Sequence, residues 1–328
     1  MTDQPLFSIR DLRVTFGRAE AALPVVRGVS LDLAQGEVLG IVGESGSGKS
    51  VAMLAALGLL PEGARVEGSV RFKGRELVGL PRRELRKLRG SRISMIFQDP
   101  LSSFNPVMKI GDQLAEVIRL HNPAVGKVEA LQRAVTLLDL VSIPEPARRV
   151  RQYPHEFSGG MRQRVMIAMA VANDPDVLIA DEPTTALDVT VQAQIMEVLA
   201  DLQRRLKLGI VLITHDLGVL AGHVDRVAVV YSGEVVEQAN VYQLFQEPRH
   251  PYTRGLIASI PDLDTPSDRL FSIEGTPPSP GKLPGGCAFH PRCVRAEALC
   301  HQEPPGLKDF GGHLAACHFA DEPAEALP

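Results

Sequence analysis

The chain has 328 residues, 45% of them hydrophobic and 23% charged, and its formal net charge is -4. This balance is typical of a globular protein, and the slight negative charge offers no general attraction to nucleic acid, so we predict no nucleic-acid partner. The longest apolar run, residues 51–60, is far shorter than the roughly 18 residues that a membrane helix needs. The first residues lack the basic start and apolar stretch of a signal peptide, so we expect the chain to stay in the cytoplasm.

The first segment with strand character alternates imperfectly between apolar and polar residues. Its apolar members are Ile9, Leu12, Val14 and Phe16. This pattern predicts a half-exposed antiparallel edge strand. Four near-continuous apolar runs then predict parallel strands buried on both faces, and together these strands predict a mixed α/β sheet. The four runs are residues 38–42, 93–97, 177–180 and 209–214.

A glycine-rich segment directly follows the first of these runs and precedes a predicted helix. It consists of Gly43, Glu44, Ser45, Gly46, Ser47, Gly48, Lys49 and Ser50. In this context the pattern predicts a P-loop, whose backbone N–H groups surround phosphate oxygens at the positive end of a helix. Lys49 is expected to contact the β- and γ-phosphates, and Ser50 to bind Mg²⁺. The alternative is an accidental Gly/Ser-rich turn.

Helical patterns replace the strand patterns between about residues 100 and 173, which predicts a helical subdomain inserted into the sheet domain. The helical patterns cover residues 110–120, 128–140 and 161–172. The last of them is preceded by Ser158, Gly159, Gly160 and Met161. The bare backbone there suits an approaching anion, and Arg162 and Arg164 oppose the helix dipole, which invites a functional interpretation. An ordinary N-cap with two loop glycines is the alternative.

Two adjacent acids, Asp181 and Glu182, end the buried run 177–180. Neighbouring side chains on a strand point in opposite directions, so the two carboxylates can serve different purposes. We expect Asp181 to bind the Mg²⁺ shell and Glu182 to polarise the water that attacks the γ-phosphate. The alternative is that both acids merely begin a loop.

Three further residues, Phe16, Gln98 and His215, stand at the ends of predicted strands. Each of them alone is more often structural. Their shared placement around one P-loop predicts that they line one site.

Composition changes after Gln246, because all four cysteines and about half of the 25 prolines follow it. We therefore predict a main domain at residues 1–246 and an extension at residues 247–328. The cysteines are Cys287, Cys293, Cys300 and Cys317. Disulfides are disfavoured in a reducing cytoplasm, which leaves metal ligation or four free thiols. Zinc stays open because several histidines lie nearby, although no C-x2-C pair is present.

The ordered set of motifs resembles the nucleotide-binding domains of ABC transporters, whose activity is ATP hydrolysis coupled to transport. The resemblance implies that residues 158–161 are the signature, which serves the nucleotide on an opposite subunit, and that residues 186–188 are the D-loop. It also implies that Gln98 contributes to the ATP and Mg²⁺ sites, that His215 is a catalytic switch, and that Phe16 stacks on adenine. Since the chain has one set of motifs, a second ATPase subunit is required.

A narrower resemblance is to the ATPases of oligopeptide, dipeptide and nickel importers. It rests on residues 97–100, 105–107, 153–157 and 250–254. It implies a location on the cytoplasmic face of the inner membrane, with a second and often different ATPase, two permease subunits and an extracytoplasmic solute-binding protein. Peptides are the expected solute, with nickel or another small solute as the alternative.

The residues from Cys287 to Cys293 are similar to the tail motif of peptide-importer ATPases, some of which carry a 4Fe-4S cluster. Four thiolates can complete such a cluster, so the resemblance favours iron–sulfur over zinc.

Other classes lack the full pattern. A soluble ABC protein of translation normally has two such domains in tandem, and a DNA-repair relative has long heptad repeats. A P-loop kinase or GTPase would need neither Ser158–Gly160 nor the extension.

Overall fold

The computed structural model describes residues 4–17, 22–99, 103–260 and 271–322. The strands are β1 (Phe7–Phe16), β2 (Leu23–Leu33), β3 (Val38–Val42), β4 (Arg65–Phe72), β5 (Arg75–Glu76), β6 (Ile93–Ile96), β7 (Val177–Asp181), β8 (Gly209–Thr214), β9 (Arg226–Tyr231), β10 (Glu234–Asn240), β11 (Lys308–Asp309) and β12 (Leu314–Ala315). The α-helices are α1 (Lys49–Ala56), α2 (Arg82–Leu88), α3 (Ile110–His121), α4 (Lys127–Leu140), α5 (Pro146–Arg149), α6 (Gly159–Val171), α7 (Val189–Leu206), α8 (Leu217–Leu220), α9 (Val241–Gln246), α10 (Pro251–Ala258) and α11 (Ala298–Gln302). Within the described ranges, no helix has the length and apolarity needed to cross a membrane.

The chain divides into two compact units. The first unit contains the described parts of Met1–Asp32, Val38–Gly79 and Thr214–Pro328, and the second contains those of Leu33–Glu37 and Leu80–Ile213. The segment after Gln246 thus belongs to the same unit as the glycine-rich segment.

A small sheet in the first unit has the strand order β2-β1-β4-β5. The antiparallel pairing predicted for β1 is confirmed, since it pairs with β4. The prediction that β1 is an edge strand is wrong, because it lies between β2 and β4. Its alternation is interrupted for a local reason: the register shifts between Arg10 and Arg13, and Asp11 has a φ of 44°, which together form a bulge.

A second set of strands in the first unit follows the order β11-β12-β10-β9-β3. β3 and β9 are parallel, whereas β10 is antiparallel to both β9 and β12. The mixed α/β fold predicted from the sequence is therefore confirmed. Because β12 belongs to the extension, its pairing with β10 adds the extension to the sheet.

In the second unit β6, β7 and β8 are neighbouring parallel strands. Every residue of β7 and β8 is buried, as expected for strands covered on both faces. Parallel strands end at the same edge, so the residues that follow β6 and β7 are brought near each other. The predicted helices of this unit form as well, and a cluster of small and branched side chains joins α3 to α4.

Candidate functional site

The P-loop connects β3 to α1 in the first unit, as the sequence predicts. Gly43 has no alternative there, because a Cβ atom at this position would lie 2.1 Å from the carbonyl oxygen of Val230. The loop therefore packs against the neighbouring strand with no room for a side chain. This close approach, together with the helix that begins at Lys49, produces the turn of backbone N–H groups that the pattern requires.

Lys49 is buried, with 5% of its surface exposed. Its Nζ donates hydrogen bonds to the carbonyl oxygens of Gly43 at 2.6 Å and Glu44 at 2.9 Å. The ammonium group is thus held inside the loop at the N-terminus of α1, next to Ser50. This is where a cation can meet the phosphates of a nucleotide.

Asp181 and Glu182 follow each other at the end of β7 in the second unit. Asp181 is buried, with 5% of its surface exposed. Glu182 has a φ of 47°, a left-handed conformation that costs a non-glycine residue about 1–3 kcal/mol. Its backbone N–H donates to the carbonyl oxygen of Ile213 at 2.9 Å. The turn is therefore strained and is stabilised from the neighbouring strand.

The carboxylate of Glu182 accepts two hydrogen bonds on the same oxygen. Gln98 Nε2 donates to Oε2 at 2.8 Å, and Thr185 Oγ1 donates to it at 2.7 Å. The structure thus brings together Gln98 and Glu182, both of which the sequence singled out. It adds Thr185, which the sequence analysis did not identify. The hydroxyl group three residues after Glu182, within a turn, was the sequence feature that could have indicated this contact.

The signature segment begins α6. The Oγ of Ser158 accepts a hydrogen bond from the N–H of Met161 at 3.3 Å, so Ser158 is the N-cap. The helix starts at Gly159, two residues earlier than predicted, and the two glycines are helical rather than part of a loop. A Cβ atom on Gly160 would lie 2.4 Å from Cγ1 of Val191, so this position requires glycine for packing against α7.

Arg162 and Arg164 place positive charge near the N-terminus of α6, where it opposes the helix dipole. The structure explains the presence of Arg164. Arg164 donates hydrogen bonds to the carbonyl oxygen of Ser142 at 2.9 Å and to Oε1 of Gln194 at 2.7 Å. Its guanidinium group therefore ties α6 to its neighbours in the second unit.

The remaining predicted residues lie at strand ends, as expected. Phe16 is the last residue of β1 and is partly exposed, and His215 directly follows β8 and is exposed. The turn after His215 is fixed by Asp216, whose N–H donates to Oγ1 of Thr214 at 3.0 Å and whose carboxylate accepts from the N–H of Gly218 at 2.8 Å. His215 thus projects from a turn that is held on its C-terminal side.

The four cysteines of the extension line one cavity and form no disulfides. Burial raises the pKa of the Cys287 and Cys317 thiols, and it raises that of Cys293 to about 11. As free thiols, these three side chains are therefore protonated at neutral pH. Within the part of the chain that the structure describes, no group of three or more His, Cys, Asp or Glu side chains is arranged to hold a metal ion. The thiols share a cavity without forming a single-ion site.

Comparison with known proteins gives consistent results. The model of the family "ABC transporter" matches residues 26–185, and that of "Oligopeptide/dipeptide transporter, C-terminal region" matches residues 236–300. The oligopeptide transport ATP-binding protein OppD of Escherichia coli is 50% identical over 323 residues, which cover 98% of this chain and 94% of that protein. OppD of Mycobacterium tuberculosis is 52% identical over 315 residues, covering 95% of this chain and 52% of that protein.

Solved structures agree with this grouping. The dimeric post-hydrolysis state of the ATP-binding cassette MJ0796, bound to ADP and Pi, is 29% identical with a TM-score of 0.64, and the match covers 72% of this chain and 98% of that chain. The chain therefore belongs to the ABC transporter family as an ATP-hydrolysing subunit, in the branch that carries the oligopeptide/dipeptide transporter C-terminal region.

Proposed function

We propose that this ATPase powers the uptake of di- or oligopeptides through a membrane ABC importer. The observation that carries the proposal is the 50% identity to an oligopeptide transport ATP-binding protein over 98% of the chain, which includes the extension. The ATPase acts on the cytoplasmic face of the inner membrane, bound to two permease subunits that receive solute from an extracytoplasmic binding protein. We assign the extension, residues 247–328, as a second domain, whose strand β12 pairs with β10 of the main domain.

The residues of the two units have separate roles in hydrolysis. In the first unit the P-loop binds the phosphates of ATP, Lys49 contacts the β- and γ-phosphates, and Phe16 stacks on adenine. In the second unit Glu182 polarises the attacking water, and the hydrogen bonds from Gln98 and Thr185 hold its carboxylate in one orientation. Ser50, Gln98 and Asp181 would hold Mg²⁺, which neutralises phosphate charge. His215 is the switch residue.

A second ATPase subunit completes the site. The N-terminus of α6, formed by Ser158, Gly159, Gly160 and Met161, is exposed at Ser158 and Gly159 and partly exposed at the other two, which suits the phosphates of a nucleotide on the opposite subunit. The dimeric state of MJ0796 with ADP and Pi supports this arrangement. The partner in this importer is a different, paralogous ATPase chain.

The transport proposal can be tested in proteoliposomes that contain the ATPase with its co-expressed permeases and binding protein. We expect ATP-dependent uptake of a labelled tripeptide, which stops with Lys49→Ala. The composition of the purified complex identifies the second ATPase. Uptake of nickel instead of peptide would contradict the choice of solute. Failure of the ATPase to sediment with membranes that contain the permeases would indicate a soluble enzyme.

The cysteine cavity is proposed to hold a 4Fe-4S cluster through Cys287, Cys293, Cys300 and Cys317. The support for this proposal is that all four cysteines line the same cavity. Four thiolates can complete a 4Fe-4S cluster, in which each thiolate binds one iron. The cluster would cross-link the extension, since ATP hydrolysis requires no electron transfer.

Anaerobic purification of the full chain tests the cluster. We expect brown protein with iron and sulfide, both lost in Cys300→Ser and both kept in Lys49→Ala, while Cys300→Ser still binds ATP. Stoichiometric zinc without sulfide would overturn the cluster and support zinc. Protein without either metal would show that the four thiols are free.

A further inference from the structure

One residue of the P-loop carries a carboxylate, and a negative charge does not favour the binding of phosphate groups. Glu44 is the second residue of this loop, and 28% of its side chain is exposed. Its carbonyl oxygen accepts from Nζ of Lys49, so its backbone belongs to the same hydrogen-bonded turn that holds the P-loop lysine. A negative charge beside this turn repels the phosphates of ATP unless another group compensates it.

Arg292 of the extension provides that compensation. Its Nη1 donates to Oε2 of Glu44 at 2.7 Å and its Nη2 donates to Oε1 at 2.8 Å, which is a two-pronged ion pair. Only 4% of the Arg292 side chain is exposed. The pair joins residues that lie 248 positions apart in the sequence.

The guanidinium group is held in place from other sides. Its Nε donates to the carbonyl oxygen of Glu274 at 3.0 Å, and it lies 5.9 Å from the ring centres of both Tyr231 and Phe289. The carbonyl group and the two rings therefore fix the orientation of the guanidinium group toward Glu44.

Two further contacts connect the extension to the same loop. The hydroxyl oxygen of Tyr252 accepts a hydrogen bond from the N–H of Glu44 at 2.8 Å. A cavity beside the loop is lined by Glu44, Gly46 and Ser47 together with Pro277 and Pro278 of the extension. The extension therefore packs directly on the P-loop.

We propose that Arg292 is a positioning residue of the ATP site: its ion pair compensates the charge of Glu44 and so allows the P-loop to accept the phosphates of ATP. The inference rests on the proposal that residues 43–50 bind ATP. It assigns the extension a part in nucleotide binding, separate from any metal that its cysteines hold.

An ion pair that only stabilises the fold would respond differently to mutation. Removal of either partner would then destabilise the fold, and the two variants would change in the same direction. Charge compensation instead predicts opposite effects, because Arg292→Met leaves an uncompensated carboxylate beside the phosphates and Glu44→Gln leaves an uncompensated cation there.

The test measures the dissociation constants of MgATP and MgADP for the full chain by titration calorimetry. For Arg292→Met we expect affinity for ATP to fall by about tenfold and for ADP by about threefold, since one uncompensated charge acts more strongly on the more highly charged nucleotide. Glu44→Gln should bind ATP more tightly than the wild type. The double variant Arg292→Met/Glu44→Gln should return close to wild-type affinity.

Arg249→Met is the matched control. Arg249 also belongs to the extension, and its guanidinium group donates to the carbonyl oxygen of Ala320 at 2.8 Å and lies 4.6 Å from the ring centre of Phe310. We expect it to leave ATP affinity unchanged. If Arg292→Met fails to fold, the sign of the Glu44→Gln effect decides the question alone.

The outcomes separate two failures. A wild-type chain that binds no ATP, or Lys49→Ala with full affinity, would contradict the assignment of the P-loop itself. If those results are as expected, unchanged affinity in Arg292→Met, or weakened binding in Glu44→Gln, would overturn the role of Arg292.

Discussion

The P-loop and the turn that carries Glu182 each follow a buried strand, but different kinds of contact hold them. The ammonium group of Lys49 bonds to carbonyl oxygens five and six residues earlier in the chain. The carboxylate of Glu182 accepts a hydrogen bond from Gln98, 84 residues earlier, and the backbone N–H of Glu182 donates to Ile213 of the adjacent strand. The hydrogen bonds of the P-loop lysine can therefore be anticipated from consecutive residues, whereas those of the Glu182 turn depend on which strands meet in the sheet.

The largest expected effect tests the chemical role of the Glu182 turn. Glu182→Gln should keep ATP binding but lower hydrolysis by about 10²- to 10⁴-fold, the range typical of losing a positioned base. The steady-state rate of phosphate release measures the loss, and Glu197→Gln, on the exposed side of α7, is the control. Turnover near the wild-type rate would remove Glu182 from the catalytic role.

A second prediction concerns the packing of the P-loop. In Gly43→Ala the new Cβ would meet a backbone oxygen at 2.1 Å, so we expect a loss of about 3 kcal/mol in the free energy of unfolding. Gly46→Ala is the matched variant, because nothing lies within 4 Å of its Cβ. Its φ of 79° leaves only backbone strain, which costs about 1 kcal/mol.

Urea unfolding of both glycine variants measures the difference. Equal losses would indicate that backbone conformation alone, without the contact to Val230, requires glycine at both positions.

The smallest expected effect tests how the Glu182 carboxylate is oriented. Thr185→Ala removes one hydrogen-bond donor to this carboxylate and should lower kcat by about tenfold, the value of one charge-assisted hydrogen bond, with little change in KM for ATP. Thr185→Ser keeps the hydroxyl and should restore most of the rate. A serine variant as slow as the alanine variant would assign the effect to the lost methyl group.

Sequence reasoning was most accurate where a pattern is local. The strands that precede the P-loop and Asp181, and the helices α3 and α4, agree with the predicted runs to within a few residues. It was wrong about the edge position of β1 and about the start of α6. The bulge at Asp11 disturbs the alternation in β1 in the same way as an edge position would. At the start of α6, two glycines made the first helical turn look like a loop.

The sequence by itself determined the P-loop, the acids at the end of β7 and the mixed α/β class, because glycine spacing and apolar runs reflect contacts between near neighbours. Only the tertiary structure decided that Thr185 bonds to Glu182, that β12 of the extension joins β10, and that Arg292 reaches Glu44. These contacts depend on which strand ends and loops meet. The physical reason is that a hydrogen bond or ion pair specifies distance and direction, which the residue types alone do not encode.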